Sequence, residues 1–380
     1  MSRSAPLAGV TVIDASWLLP GQFCGMVLSD LGARVIKIEL PGGDYGRGFD
    51  AHGWAAVNRR KEGLTLNLRK PGGSEVMRRL AGRADVLLEG FRPGVMDRLG
   101  AGYETLREAR PELVYCSVSG YGQEGEDRLR PGHGLNYAGV AGMLSIAGDS
   151  VRLAAILADL AGSTYAAISV LAALRHRDRH GVGQHLDVSI TDATFSLLTD
   201  QLAGGHPDSA ERPPSAGGFG VFTGGDGRRF TVGAVEDAFW AALCEVVDRP
   251  GWLKDPRYAD DGSRRVHAAA IRAELLEIFA GDSAAAWLER LRAAGVPCGR
   301  FNELSEARVD PLAAERELFG STAVAGVGSV AQVRFPTLFS GSALPPAGPA
   351  PAPGEHTEAL LEELGYTAAE RDRLRAAGTV

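Results

Sequence analysis

Short runs of β-branched and aliphatic residues at 10–14, 35–38, 64–68, 86–89 and 114–119 alternate with stretches of helical composition, and this alternation constrains the chain more than any other feature. Neighbouring parallel strands need connections of a dozen or more residues, and a helix is what usually fills them. Helical stretches are expected at 24–31, 74–84 and 103–110, and Gly-rich turns follow Leu40 and Ser119. The pattern predicts an α/β domain with a largely parallel sheet over residues 1–203. No Gly-x-Gly-x-x-Gly opens a helix after the first run, so the usual dinucleotide fingerprint is missing.

Residues 204–220 are dense in Gly, Pro and Ser and read as a linker or loop. Beyond them Gly225-Asp226-Gly227 marks a hairpin turn, and helices are expected at 237–247, 264–279 and 284–294. That mixture predicts a smaller α+β domain over 221–320. After a second Pro-, Gly- and Ala-rich stretch at 343–354, a helical tail is expected at 356–377.

Charge and cysteine usage exclude several function classes. Lys and Arg total 40 against 47 Asp and Glu, a formal charge of −7, so neither nucleic acid nor a membrane surface is expected as a partner. Cys24, Cys116, Cys244 and Cys298 stand singly without metal-finger spacing, which predicts reduced thiols, no metal and a cytoplasmic setting. Residues 1–10 lack a signal-like apolar stretch, so the mature chain is expected to begin there. The most apolar segment, 153–174, is long enough to span a bilayer but carries Asp159, Ser163, Thr164 and Tyr165; a buried helix is the expected form.

An acid inside that segment has chemical consequences. Full desolvation raises an Asp by roughly 3 to 5 pH units, toward values suited to proton transfer, whereas a carboxylate at a helix N-cap stays ionised. Asp159 therefore reads either as a site residue or as the cap of a helix over 162–174. His133 stands in Arg130-Pro131-Gly132-His133-Gly134-Leu135-Asn136-Tyr137, where flanking glycines allow close backbone approach and an imidazole suits acid–base work; surface or capping roles are the alternative. Glu236 ends a strand-like run, placed to orient an imidazole or simply to complement a helix dipole. The basic clusters at 58–61, 69–70 and 91–98 are candidates for gripping phosphates, with solvated surface as the alternative.

Residues 7–14 (LAGVTVID), 30–39 (DLGARVIKIE), 58–61 (NRRK), 89–94 (EGFRPG), 119–123 (SGYGQ), 183–187 (GQHLD) and 354–357 (GEHT) occur in one order along the chain. Together they resemble the type III CoA-transferase family, which includes formyl-CoA transferase, carnitine CoA-transferase and α-methylacyl-CoA racemase. The resemblance implies a Rossmann-like large domain built from both chain ends, with 321–380 returning to it as linker and C-terminal helix. It also implies a small domain between them and an interlaced homodimer. CoA would be part of the substrate, with no catalytic cofactor, gripped through Leu18, Arg59, Arg60, Lys61, Leu66, Gly90, Phe91, Arg92, Pro93, Gly94, Arg98 and Arg130. Asp159 matches the family's catalytic carboxylate.

Gly132, His133, Asn136 and Tyr137, and residues 230–236 (FTVGAVE), resemble the racemase branch, which implies His133 as a second base and Glu236 as its hydrogen-bond partner. The expected activity is inversion at the α-carbon of a 2-methyl-branched acyl-CoA thioester through an enolate, with His133 and Asp159 serving opposite faces. The alternative is CoA transfer between a thioester and a free carboxylic acid through an Asp159 anhydride. A second alternative is a CoA-binding protein without turnover. Two features depart from the racemase pattern: Gly134 stands where an acid follows the His, and 117–123 (SVSGYGQ) is nearer the transferase style.

Overall fold

In the computed structural model, which describes residues 4–204 and 217–380, four of the apolar runs become strands, the 64–68 run is displaced to a strand at 62–65, and a sixth strand joins them. The strands β1 (Thr11–Ala15), β2 (Arg34–Glu39), β3 (Glu62–Thr65), β4 (Val86–Glu89), β5 (Val114–Ser119) and β6 (His185–Ser189) form one parallel sheet in the order β3-β2-β1-β4-β5-β6. Alternation sends Val12, Val35, Val86, Leu88 and Cys116 to one buried cluster and Ile13, Ile36, Leu64, Leu87 and Tyr115 to another, one for each face. With both faces covered, β4 and β5 are buried throughout. β6 escapes the sequence reading because His185 and Asp187 are exposed and break its apolar run. The strand order reverses between β1 and β4, which places a crevice at their C-terminal ends.

The described helices that matter for the site are α1 (Leu18–Asp30), α2 (Gly134–Val140), α3 (Val151–His180) and α4 (Ile190–Leu197). By length and composition α3 could cross a membrane, yet it packs against α1, α2, α4 and β5. Its buried residues are mostly small, and a Cβ on Gly162 would lie 2.8 Å from the Ile190 side chain. Because α3 begins at Val151, Asp159 sits well inside the helix. That corrects the capping alternative and the helix start expected at 162.

Contacts divide the chain into two units, Met1–Gly205 with Glu317–Val380, and His206–Arg316. In the second, β7 (Phe219–Thr223), β8 (Arg229–Gly233) and β9 (Cys298–Arg300) form an antiparallel sheet, and Phe222, Phe230, Trp240, Phe279 and Trp287 share its core with flanking helices. β7 takes in Phe219 and Gly220, which composition assigns to the linker; residues 205–216 of that stretch lie outside the described residues.

The first unit uses both chain ends. Leu360 and Leu361 from helix Thr357–Glu363, Leu364 at its C-terminal cap and Leu374 from helix Ala368–Ala376 join Ile13, Leu64 and Leu80 in one cluster, and the Thr379 carbonyl accepts the Asn67 N–H at 2.7 Å. The tail is two helices instead of one because Gly365, at φ 83°, ends the first. The returning segment also forms a hairpin, β10 (Phe319–Val324) and β11 (Gly328–Val333), which reads as linker because its residues are small and mostly exposed.

Beneath the turn after β1 lies a buried ionic cluster. The Lys61 ammonium donates to Asp14 Oδ2 at 2.7 Å, Asn58 Oδ1 at 2.8 Å and the Gln22 carbonyl at 2.9 Å. Lys37 Nζ lies 3.9 Å from Asp14 Oδ1 and donates to the Ser16 carbonyl. Burial alone would raise the Asp14 carboxyl, but Lys61 and Lys37 hold it below its ordinary value. The cluster fixes Ser16, so that Trp17 and Leu18, the latter at φ 59°, turn sharply into α1.

Candidate active site

A cavity of about 390 Å³ opens at the C-terminal ends of β1, β4 and β5, in the crevice marked by the strand order. Trp17 and Leu18 enter it from the β1 turn, Gly90, Phe91, Arg92 and Pro93 from the turn after β4, and Val118, Ser119 and Gly120 from the end of β5. Gly132, His133, Asn136 and Tyr137 come from the start of α2, Asp159 from α3, and Arg128 and Arg130 from the loop before α2. Of the expected residues, the cavity therefore gathers Leu18, Gly90, Phe91, Arg92, Pro93, Arg130, Gly132, His133, Asn136, Tyr137 and Asp159.

The others stand elsewhere. Leu66 is buried in the core, Gly94 caps the short helix Val95–Arg98 at φ 77°, and Arg98 is exposed at that helix's end. Arg59 Nε donates to Asp30 at 2.9 Å, Lys61 belongs to the Asp14 cluster, and Arg60 Nη1 donates to the Pro346 carbonyl at 2.9 Å. Arg59 and Lys61 thus answer to buried acids, which corrects the expectation that they grip phosphates, while Arg60 is half-buried and pairs with no acid among the described residues. Glu236 belongs to the other unit, exposed at the N-terminus of helix Asp237–Val246. Trp17, Arg128 and Ile190 line the cavity without a sequence signal, whereas Gly120 comes from the 119–123 motif. Arg128 lies in the mixed-charge run 124–130 (EGEDRLR), where nothing separates an inward arginine from an outward one.

Arg92, Arg128 and Arg130 face a single lining carboxylate, Asp159, so the cavity suits an anionic ligand. Burial pushes Asp159 up to about 6, and His133 offsets part of that rise. At α2, Asn136 Oδ1 accepts the His133 N–H at 3.0 Å, and the Tyr137 hydroxyl donates to the Gly132 carbonyl at 2.6 Å. Burial raises the Tyr137 phenol to about 12, so it remains a donor.

Gly134 explains the departure at the residue after His133. A Cβ there would fall 2.2 Å from the Ala155 carbonyl oxygen and 3.0 Å from Asp159 Oδ1. An acid has no room at this position, because α2 meets α3 backbone to backbone. Gly134→Ala is expected to destabilise the protein by about 1–3 kcal/mol through overpacking and to lower turnover by moving Asp159, as thermal unfolding and steady-state kinetics would show. A variant with native stability and rate would mean that the two helices separate without effort.

The profile described as CoA-transferase family III matches residues 7–357. The acetyl-CoA:oxalate CoA-transferase of Acetobacter aceti is 34% identical over 94% of this chain and 96% of its own. The human succinyl-CoA:glutarate CoA-transferase is 30% identical over 100% of this chain and 91% of its own. The crystal structure of Rv3272 from M. tuberculosis superposes with a TM-score of 0.82 at 32% identity, covering 94% of this chain and 99% of that one. The relatives' names describe CoA transfer, which overturns the expected racemase activity. With it fall the second-base role of His133 and the orienting role of Glu236. On the extent of the profile match and the identity along nearly the whole length, the chain belongs to CoA-transferase family III.

Proposed function

We propose that this protein transfers CoA between an acyl-CoA thioester and a free carboxylic acid, with Asp159 as the nucleophile. The observation that carries the reading is the Asp159 carboxylate, partly buried, in a cavity whose other charged walls are guanidiniums. An Asp159 oxygen attacks the thioester carbonyl carbon, the C–S bond breaks, and the CoA thiolate leaves a mixed anhydride behind. The thiolate then attacks the Asp159 carbonyl carbon, which releases the donor acid as its carboxylate and leaves CoA on Asp159 as a thioester. The acceptor carboxylate attacks that thioester, expels the thiolate and forms a second anhydride. Attack of the thiolate on the acceptor's acyl carbon yields the new thioester and restores Asp159. No net proton is consumed, so no separate acid or base is required.

Arg92, Arg128 and Arg130 supply the cations that such a cycle needs for CoA phosphates and for a carboxylate partner. A short dicarboxylic acid fits as that partner, since oxalate and glutarate appear in the relatives' names. The test uses an acceptor acid labelled with oxygen-18 in its carboxylate. The cycle leaves one labelled oxygen on Asp159 after a single turnover, readable by peptide mass spectrometry. Product formed with Asp159 unlabelled would sink the proposal.

A further inference from the structure

Glu89 ends β4 beneath the turn that walls the cavity, and the cycle above gives it no part. It stands in register with Ala15 of β1 and Ser117 of β5, is 4% exposed, and forms no salt bridge among the described residues. Its Oε2 accepts the Phe91 N–H at 2.7 Å. The Ser117 hydroxyl bonds to it from β5, and Ser117 Oγ lies 2.9 Å from His185 Nε2 on β6. Tyr103 stacks on the His185 ring with centroids 5.3 Å apart.

The titratable groups around this chain come from every neighbouring element. Tyr115 faces Glu89 from β5, Asp97 from the helix Val95–Arg98, and Asp187 and His185 from β6, with Glu104 acting on His185 from the helix Tyr103–Ala109. β1 contributes only Ala15 at this register. Burial first, then Asp97 and Asp187, push Glu89 up to about 7 against the hydrogen bonds from Ser117 and Phe91.

We propose that Glu89 is a positioning residue for the cavity, whose protonation state sets the seat of the 90–94 turn and thereby the affinity for CoA. The proposal rests on the reading that this cavity takes CoA. Ionised, the carboxylate only accepts: Phe91 N–H and Ser117 O–H donate to it, and His185 Nε2–H donates to Ser117 Oγ. Protonated, it must donate. Its O–H turns to Ser117 Oγ, Ser117 donates to His185 in the other tautomer, and Phe91 keeps only a neutral acceptor. Charge-assisted hydrogen bonds are roughly twice as strong as neutral ones, so the turn loses its anchor. Phe91 and Arg92 line the cavity, and the Trp17 ring lies 5.8 Å from that of Phe91.

Calorimetric titration with CoA at about pH 8.5 and about pH 6 tests this on the whole protein. The native Kd is expected to rise about fivefold or more on acidification, since one linked proton permits about tenfold per pH unit. Glu89→Gln still accepts from Phe91 but does not titrate, and it is expected to match the native protein at about pH 6 and to bind about fivefold or more weakly than it at about pH 8.5. CoA's own phosphate titrates equally for both proteins, so the difference between them is the readout. Ser117→Ala removes a donor to the ionised form and is expected to move the native transition to higher pH without abolishing it. The same pH dependence in Glu89→Gln as in the native protein, or a native transition that stays in place in Ser117→Ala, overturns the proposal. Failure of the native protein to bind CoA at either pH overturns the reading of the cavity itself, which tells the two failures apart.

Discussion

Asp159→Asn is expected to lower turnover by about four orders of magnitude while leaving the fold and the affinity for CoA near native. The amide keeps the shape of the carboxylate but has no anionic oxygen to attack a thioester. The pH profile supplies the matching control. Asp159 titrates at about 6 where an ordinary Asp lies at 3.8, and the ionised form is the nucleophile. Native kcat at saturating acyl-CoA, where the affinity change tied to Glu89 drops out, is therefore expected to hold above that value and to fall by about tenfold per pH unit below it. The sign for stability is opposite. A carboxyl raised in the folded state favours folding while protonated, and that contribution is lost as pH climbs through about 6. At neutral pH the asparagine variant should thus unfold at the same temperature as the native protein or a higher one. Retained turnover, or loss of turnover through unfolding, would each count against Asp159 as the nucleophile.

Asp14→Asn is expected to have the largest effect on stability, about 3–5 kcal/mol, measured by urea unfolding near neutral pH. The side chain is fully buried between Lys61 and Lys37, and an amide leaves the Lys61 ammonium without its counter-charge and Lys37 with Asp44 alone, at 3.6 Å. Asp14 is held below its ordinary value, so its contribution is present above the unfolded value near 3.8 and is lost as pH falls through the folded one. The variant should accordingly lose its disadvantage in strong acid. Since the same cluster seats Ser16 and the turn bearing Trp17 and Leu18, KM is expected to rise with the loss of stability. A difference of less than about 1 kcal/mol would mean that the lysines discharge themselves instead.

Continuous apolar runs made the sheet readable from sequence because β1, β2, β4 and β5 are buried on both faces, and such runs are what doubly covered strands require. β6 and the hairpin β10–β11 were hidden for the converse reason, since exposed strands admit polar and small residues. At the site, Asp159 stood out because an acid in an apolar helix is rare, and the 89–94 segment stood out as a motif. The destiny of Lys61 was invisible: its partner Asp14 lies 47 residues away, and a basic cluster looks the same whether it meets solvent, phosphate or a buried acid. Gly134 was misread as a lost acid, when the deciding contact is with a carbonyl of another helix.

The dependence of the first unit on both chain ends has a consequence during synthesis. A ribosome releases the strands of the sheet long before it releases the leucines at 360–374 that complete the cover of one face over β3. At translation rates of about 5–20 residues per second, the part of that face over β3 stays uncovered for roughly ten to thirty seconds, while the helices at 73–81 and 103–109 cover the rest. The nascent sheet then carries an exposed apolar strip at β3 awaiting its cover, which makes this chain a natural client of holding chaperones and a poor candidate for C-terminal truncation.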